Sequence, residues 1–146
     1  MAWKIVNENS SKALSVRPGS PGEQHPVQEE QNQLWELLPV GPQGSGQFKI
    51  RSVATGKVLA IPQDSTELGV QVVQETEGDN PGQIWRFHLV DFGPIFNTAF
   101  VYFTFRIAAH SELVLDVRGG SSDEHAAIQQ YPTNGTPAQR WRLVLS

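Results

Sequence analysis

No cysteine occurs among the 146 residues of the chain. This excludes a disulfide framework, a thiolate zinc site and a cysteine nucleophile. Charged residues are scarce at 18%, too few for a coiled coil or a solvated helical bundle. Cationic charge is scarcer still. Eleven Lys and Arg against 15 Asp and Glu leave a net charge of −4, so no nucleic-acid partner is expected. No apolar run approaches the roughly 18 residues of a spanning helix, so no membrane insertion is expected. The segment from Met1 to Glu8 has neither the apolar core nor the cleavage site of a signal peptide. The expected location is therefore the cytosol, with export by a non-classical route as the alternative.

Turn residues are abundant instead. Thirteen glycines and ten prolines favour many short strands over a few long helices. The length suits one domain spanning 1–146. Within it a unit recurs. Three of the four tryptophans sit in one triplet: Gln33-Leu34-Trp35, Gln83-Ile84-Trp85 and Gln139-Arg140-Trp141. The tryptophans lie 50 and 56 residues apart (85 − 35 and 141 − 85). Upstream of each is an apolar-x-apolar strand: Leu14-Ser15-Val16, Leu59-Ala60-Ile61 and Leu115-Asp116-Val117. The leucine-to-tryptophan distance is 26 in the second and third copies and 21 in the first, which is shortened. Each copy opens on an aromatic-x-Ile strand, Trp3-Lys4-Ile5, Phe48-Lys49-Ile50 and Phe105-Arg106-Ile107. A third strand is expected at Val27-Gln28, at Val70 to Gln74, and at Ala127 to Tyr131.

Each copy thus reads as four short strands with period-2 alternation, in repeats covering about 1–45, 46–92 and 93–146. In a Gln-x-Trp triplet that alternation points Gln and Trp to one face. A buried tryptophan and a glutamine bonding loop backbone would lock the fourth strand onto the core. Gln33, Trp35, Gln83, Trp85, Gln139 and Trp141 are the expected anchors. The stretch from Glu29 to Leu38 has local helical character, but the matching positions carry Gly78, Pro81 and Gly82, or Pro132, Gly135 and Pro137. These break helices, so a loop with one helical turn followed by a strand is expected. Three four-stranded units cannot each bury a face alone. The all-β architecture that closes them around a common axis is a β-trefoil of twelve short strands, six in a barrel and six in a hairpin cap.

The repeated Gln-x-Trp pattern resembles the ricin B-chain-type lectins and related carbohydrate-binding modules, over nearly the whole chain. The third repeat, from Leu113 to Leu143, is the most similar to that family. A sugar ring has polar edges and one apolar face. Binding it takes an aromatic ring for that face and a carboxylate or amide for adjacent hydroxyls. The third repeat supplies Asp116, the sole acid on the three Leu-x-Val/Ile strands, Tyr131 fifteen residues later, and Asn134 in a turn with Gly135. The resemblance implies that Asp116 accepts bonds from two hydroxyls of a galactose-like sugar, that Tyr131 stacks on the ring and that Asn134 bonds a hydroxyl. Gln139 would support this geometry, and Gly119, Gly120 and His125 would lie in the contacting loop. At the Asp116 position the other repeats carry Ser15 and Ala60, and Glu75 and Gly78 stand for Tyr131 and Asn134 in the second. One sugar site per chain is expected.

The resemblance implies a non-enzymatic lectin for galactose- or N-acetylgalactosamine-containing glycans. The alternatives are a β-trefoil protease inhibitor or another protein-binding module acting through its loops, and an accessory module of a toxin or glycoside hydrolase. Asp116, Asp123 and Glu124 could be drawn as a glycosidase pair, but nothing fixes two of them across a scissile bond. His25, His88, His110 and His125 show no metal-ligand spacing, so neither a metal nor a cofactor is expected. The run from Gly41 to Gly46 lacks the Gly-Lys-Ser/Thr ending of a phosphate loop and reads as a linker. The segment between Trp85 and Phe105 holds five of the seven phenylalanines and is longer than the repeat requires. Phe92, Pro94, Ile95 and Phe96 at its tip are a candidate protein interface, such as that of a homodimer.

Overall fold

Twelve strands run through the chain in three groups of four in the computed structural model, which describes residues 1–90 and 101–146. The first group is β1 (Trp3–Asn7), β2 (Ala13–Ser15), β3 (Glu23–His25) and β4 (Trp35–Val40). The second is β5 (Gln47–Ser52), β6 (Val58–Ala60), β7 (Val73–Glu75) and β8 (Trp85–Leu89). The third is β9 (Phe103–Ile107), β10 (His110–Val117), β11 (Ile128–Pro132) and β12 (Trp141–Leu145). The first and fourth strands of each group pair head to tail, β1 with β4, β4 with β5, β5 with β8, β8 with β9, β9 with β12 and β12 with β1. That ring closes a six-stranded barrel with no free edge. The hairpins β2–β3, β6–β7 and β10–β11 form the cap. The fold is a β-trefoil.

The Gln-x-Trp triplets explain why each unit closes. Each glutamine ends a single 3₁₀ turn, Gln31–Gln33, Pro81–Gln83 and Pro137–Gln139, and the tryptophan opens the strand two residues on. All three indoles are fully buried. Each donates its Nε1–H to the carbonyl of the upstream leucine: Trp35 to Leu14 at 3.0 Å, Trp85 to Leu59 at 3.1 Å and Trp141 to Leu115 at 3.1 Å. The glutamine Oε1 accepts a backbone N–H five residues earlier, from Gln28, Gly78 and Asn134 respectively. Its Nε2 donates to the backbone carbonyl of Pro26, Thr76 or Pro132. Truncating a tryptophan so placed typically costs about 3–5 kcal/mol.

A second set of glutamines was not foreseen. Gln24, Gln74 and Gln130 pair across the cap hairpins with Leu14, Leu59 and Leu115. Each donates its Nε2–H to two carbonyls of a different repeat. Gln24 reaches Ser121 and Asp123, Gln74 reaches Arg17 and Ser20, and Gln130 reaches Ser65 and Glu67. The three pairs of bonds run cyclically, first repeat to third, second to first and third to second. This is a polar clasp in a protein without disulfides.

The clasp also corrects one expectation. The third strand of the first repeat is Glu23–His25, not Val27-Gln28, because the inward residue there is the buried Gln24, whereas Val27 is exposed. In the second repeat the strand begins at Val73, and Gln71 makes only an isolated bridge to Gln129. The Glu29–Leu38 stretch is a 3₁₀ turn followed by a strand, as expected. Phe92, Pro94, Ile95 and Phe96 lie outside the described residues.

Candidate functional site

The cap hairpin β10–β11 sets Asp116 directly opposite Gln129 and Val114 opposite Tyr131. Beyond β10, Arg118–Gly120 form a 3₁₀ turn in which Gly119 and Gly120 have φ of 67° and 61°. Two successive left-handed residues swing the chain away from β11. Beyond β11, Asn134 sits in a turn where its Oδ1 accepts from Thr136 N at 3.1 Å and Thr136 Oγ1 at 2.7 Å. These pieces enclose an open cavity of about 550 Å³ lined by Asp116, Gly119, Gly120, Tyr131 and Asn134, together with Asn9, Arg118, Gln129 and the Thr136 to Ala138 turn.

Asp116 is 5% exposed and Tyr131 40% exposed, so a buried carboxylate lies at one side of the cavity and an available ring at another. Burial raises the Asp116 carboxyl above its ordinary value of 3.8, while hydrogen bonds from the Gln129 and Gln139 side chains act the other way. Gln129 donates Nε2–H to Asp116 Oδ2 at 2.8 Å, and its Oε1 accepts from Arg118 Nε at 2.8 Å. Arg118 Nη2 in turn donates to the Gly69 carbonyl at 2.9 Å. The carboxylate is therefore fixed through a chain that ends in the second repeat.

Of the seven residues expected at a sugar site, five line this cavity. Gln139 is buried behind it, where its Oε1 holds Asn134 N at 2.9 Å. His125 is not part of it: its ring packs edge-on against His25, with centroids 4.4 Å apart. The reason is local, since His125 has φ of 66° and its N–H bonds the Gln24 carbonyl, which turns the loop toward β3. Arg118 and Gln129 escaped the sequence reading, although Gln129 stands two residues before Tyr131 on the same strand face. Asn9 comes from another repeat and left no signal in the third.

The equivalent crevice of the second repeat is nearly filled. Positions 56 residues earlier, Asp64, Pro81 and Gly82 in place of Gly120, Pro137 and Ala138, line a cavity of about 20 Å³. Gly82 N donates to Asp64 Oδ1 at 2.8 Å, which draws the Pro62–Asp64 turn inward. A Cβ at Gly82 would lie 2.7 Å from the Ile61 carbonyl oxygen and 2.8 Å from Asp64 Oδ1. The third repeat carries a methyl group, Ala138, at that position and no carboxylate at Gly120.

A closed trefoil whose third repeat carries this crevice defines a β-trefoil domain of the lectin-like class. The family model for the ricin-type beta-trefoil lectin domain-like family matches residues 31–100 and 95–146, and the chain belongs to that family. Among solved structures it is similar to ThreeFoil, a designed 3-fold symmetric protein, at 31% identity and a TM-score of 0.84, with 99% of each chain covered. It is also similar to the exo-beta-1,3-galactanase 1,3Gal43A from Clostridium thermocellum, at 31% identity and a TM-score of 0.84, covering 99% of this chain and 30% of that one. The Macrolepiota procera ricin B-like lectin, solved in complex with lactose, shares the fold at 17% identity and a TM-score of 0.77, covering 100% of this chain and 96% of that one. No curated protein matches the chain.

Proposed function

We propose that the protein is a non-enzymatic lectin that binds galactose- or N-acetylgalactosamine-type glycans through its third repeat. The observation that carries this reading is the convergence of Asp116, Tyr131 and Asn134 on one open cavity. Asp116 would accept hydrogen bonds from two adjacent hydroxyls, Tyr131 would stack on the apolar face of the ring, and Asn134 Nδ2 would donate to a further hydroxyl. Gln129 holds one carboxylate oxygen, which limits rotation of Asp116 before the sugar arrives. Structures of two lectins that share this fold, from Macrolepiota procera and from earthworm, are described with lactose and with GalNAc, which supports the choice of sugar.

A binding rather than a hydrolytic role is favoured by the donor set. The cavity is lined by a single carboxylate, whereas the usual glycosidase mechanisms need two. The galactanase match fits the same view, since the likeness spans only 30% of that enzyme's chain. One stack and a few exposed polar contacts net about 4 kcal/mol, so a free monosaccharide should bind with Kd near about 1 mM.

A glycan array probed with wild type and Asp116→Ala side by side tests the proposal. Galactose-terminated glycans should bind the wild type and not the variant. Binding that survives the substitution would put the site elsewhere. Absence of binding by both proteins, with inhibition across a protease panel, would favour the protein-binding alternative.

A further inference from the structure

Glu23, His25 and His125 form a polar cluster on the cap, away from the crevice, where β3 meets the third-repeat loop. Glu23 and His25 are two residues apart on a strand, so their side chains leave the same face. The residue between them, Gln24, is bonded by backbone to the loop: its N–H to the Ala126 carbonyl at 3.0 Å and its carbonyl to His125 N–H at 2.9 Å. An isolated bridge pairs Glu23 with Ala127. The backbone therefore fixes His125 over the face that carries Glu23 and His25.

The donor atoms converge. Glu23 Oε1 lies 3.2 Å from His25 Nε2 and 3.6 Å from His125 Nδ1, and one ligand atom from each residue falls within 4.8 Å of the other two. In a tetrahedral zinc site with bonds of about 2.0–2.1 Å, ligand atoms stand about 3.3 Å apart. Two of the three edges are already close to that length. His125 holds a left-handed backbone conformation that non-glycine residues rarely adopt, and that conformation aims its ring at the pair. The His25 side chain is 12% exposed and that of His125 61% exposed, so one flank is packed and the other opens to solvent as an entry path.

We propose that Glu23, His25 and His125 form a binding site for a late first-row divalent cation, with Zn²⁺ as the fitting ion. Two imidazoles and a carboxylate are the N₂O donor set such ions take, and three protein ligands leave a fourth position for water. The ligands come from the first and third repeats, which is why spacing along the chain does not reveal them. Bound metal would tie the loop after Gly120 to β3, reinforcing the Gln24 clasp by a route independent of any sugar.

The test is calorimetric titration of the full chain with ZnCl₂ at neutral pH after treatment with chelator, with Co²⁺ as a second ion read by its visible absorption. Wild type should take up one Zn²⁺ per chain, show a raised Tm, and give the intense bands of four-coordinate Co²⁺. His125→Asn suits the variant arm because Asn tolerates the left-handed conformation while removing the imidazole. It should lower affinity at least tenfold (about 1.4 kcal/mol) and abolish the Co²⁺ bands, with an unchanged tryptophan emission spectrum showing that the fold is kept. Glu23→Gln should also weaken binding. Failure of wild type to bind Zn²⁺, or equal binding by His125→Asn, in which His88 and His110 remain, would overturn the proposal.

Discussion

Gln129 and Asp116 face each other across the β10–β11 ladder, and the glutamine amide donates to the aspartate Oδ2 at 2.8 Å. The same amide accepts from Arg118, so it presents its N–H side to the carboxylate. An acid 5% exposed is held here without a cationic partner at hydrogen-bonding distance among the described residues. This arrangement costs stability, as burial raises the carboxyl above its ordinary value.

From this follows an opposition between stability and binding. Asp116→Asn keeps an acceptor for Gln129 and removes the buried charge. Chemical denaturation at neutral pH should show the variant as stable as wild type or up to about 1 kcal/mol more stable. Its affinity for galactose-type ligands should fall at least tenfold, a loss of about 1.4 kcal/mol. A variant destabilised by more than about 1 kcal/mol would instead make the carboxylate a structural element.

The pH dependence has a definite sign. The folded-state pKa of Asp116 lies above 3.8, so between those two values the native protein binds more protons than the unfolded chain. Stability from this group therefore rises as pH falls through that window. The proposed sugar contact should go the other way, since the hydroxyls would need the ionised acceptor. Titrating lactose between about pH 4 and 7 should show affinity falling on the acid side. The wild-type minus Asp116→Asn difference in stability should run in the opposite direction. An affinity flat down to 3.8 would remove the carboxylate from the contact.

Much of this site was legible because its parts recur against a fixed frame. Leu115 and Trp141 stand 26 apart, as do Leu59 and Trp85, so Asp116 and Tyr131 register as departures from Ala60 and Glu75. The cross-repeat contacts were not legible, because Asn9, Glu23 and His25 meet the third repeat only after the barrel closes. The clasp glutamines did leave a trace. Gln24, Gln74 and Gln130 each precede a tryptophan of the triplets by 11 residues. The polar sequence of β3, Glu-Gln-His, hides a strand whose buried residue is an amide, and reading by apolar alternation passed over it.

Gly82 accounts for the filled crevice of the second repeat, and it can be tested alone. Gly82→Ala would set a methyl carbon 2.7 Å from the Ile61 oxygen and 2.8 Å from Asp64 Oδ1, and one of these contacts is backbone. Relief requires the Pro62–Asp64 turn to move outward and to weaken the bond from Gly82 N to Asp64. Denaturation should show a loss of about 1–3 kcal/mol. Sugar binding at the third repeat should stay within about twofold of wild type, since the two crevices share no lining residue. A neutral Gly82→Ala would mean that the turn is free to shift.

Tyr131 separates the stacking contribution from the polar one. Its ring is 40% exposed at the rim of the cavity, so removing it disturbs little of the packed cap. Tyr131→Phe keeps the apolar face and should keep affinity within about threefold, whereas Tyr131→Ala should lose at least tenfold. Both variants should stay within about 0.5 kcal/mol of wild-type stability, as expected for a half-exposed side chain. Calorimetry with lactose resolves the pair. If Tyr131→Ala keeps affinity within about threefold of wild type, as Tyr131→Phe should, the ring makes no stacking contact. If Tyr131→Phe falls as far as Tyr131→Ala, the phenolic hydroxyl rather than the face holds the sugar, and specificity then rests on hydrogen bonds from both sides of the crevice.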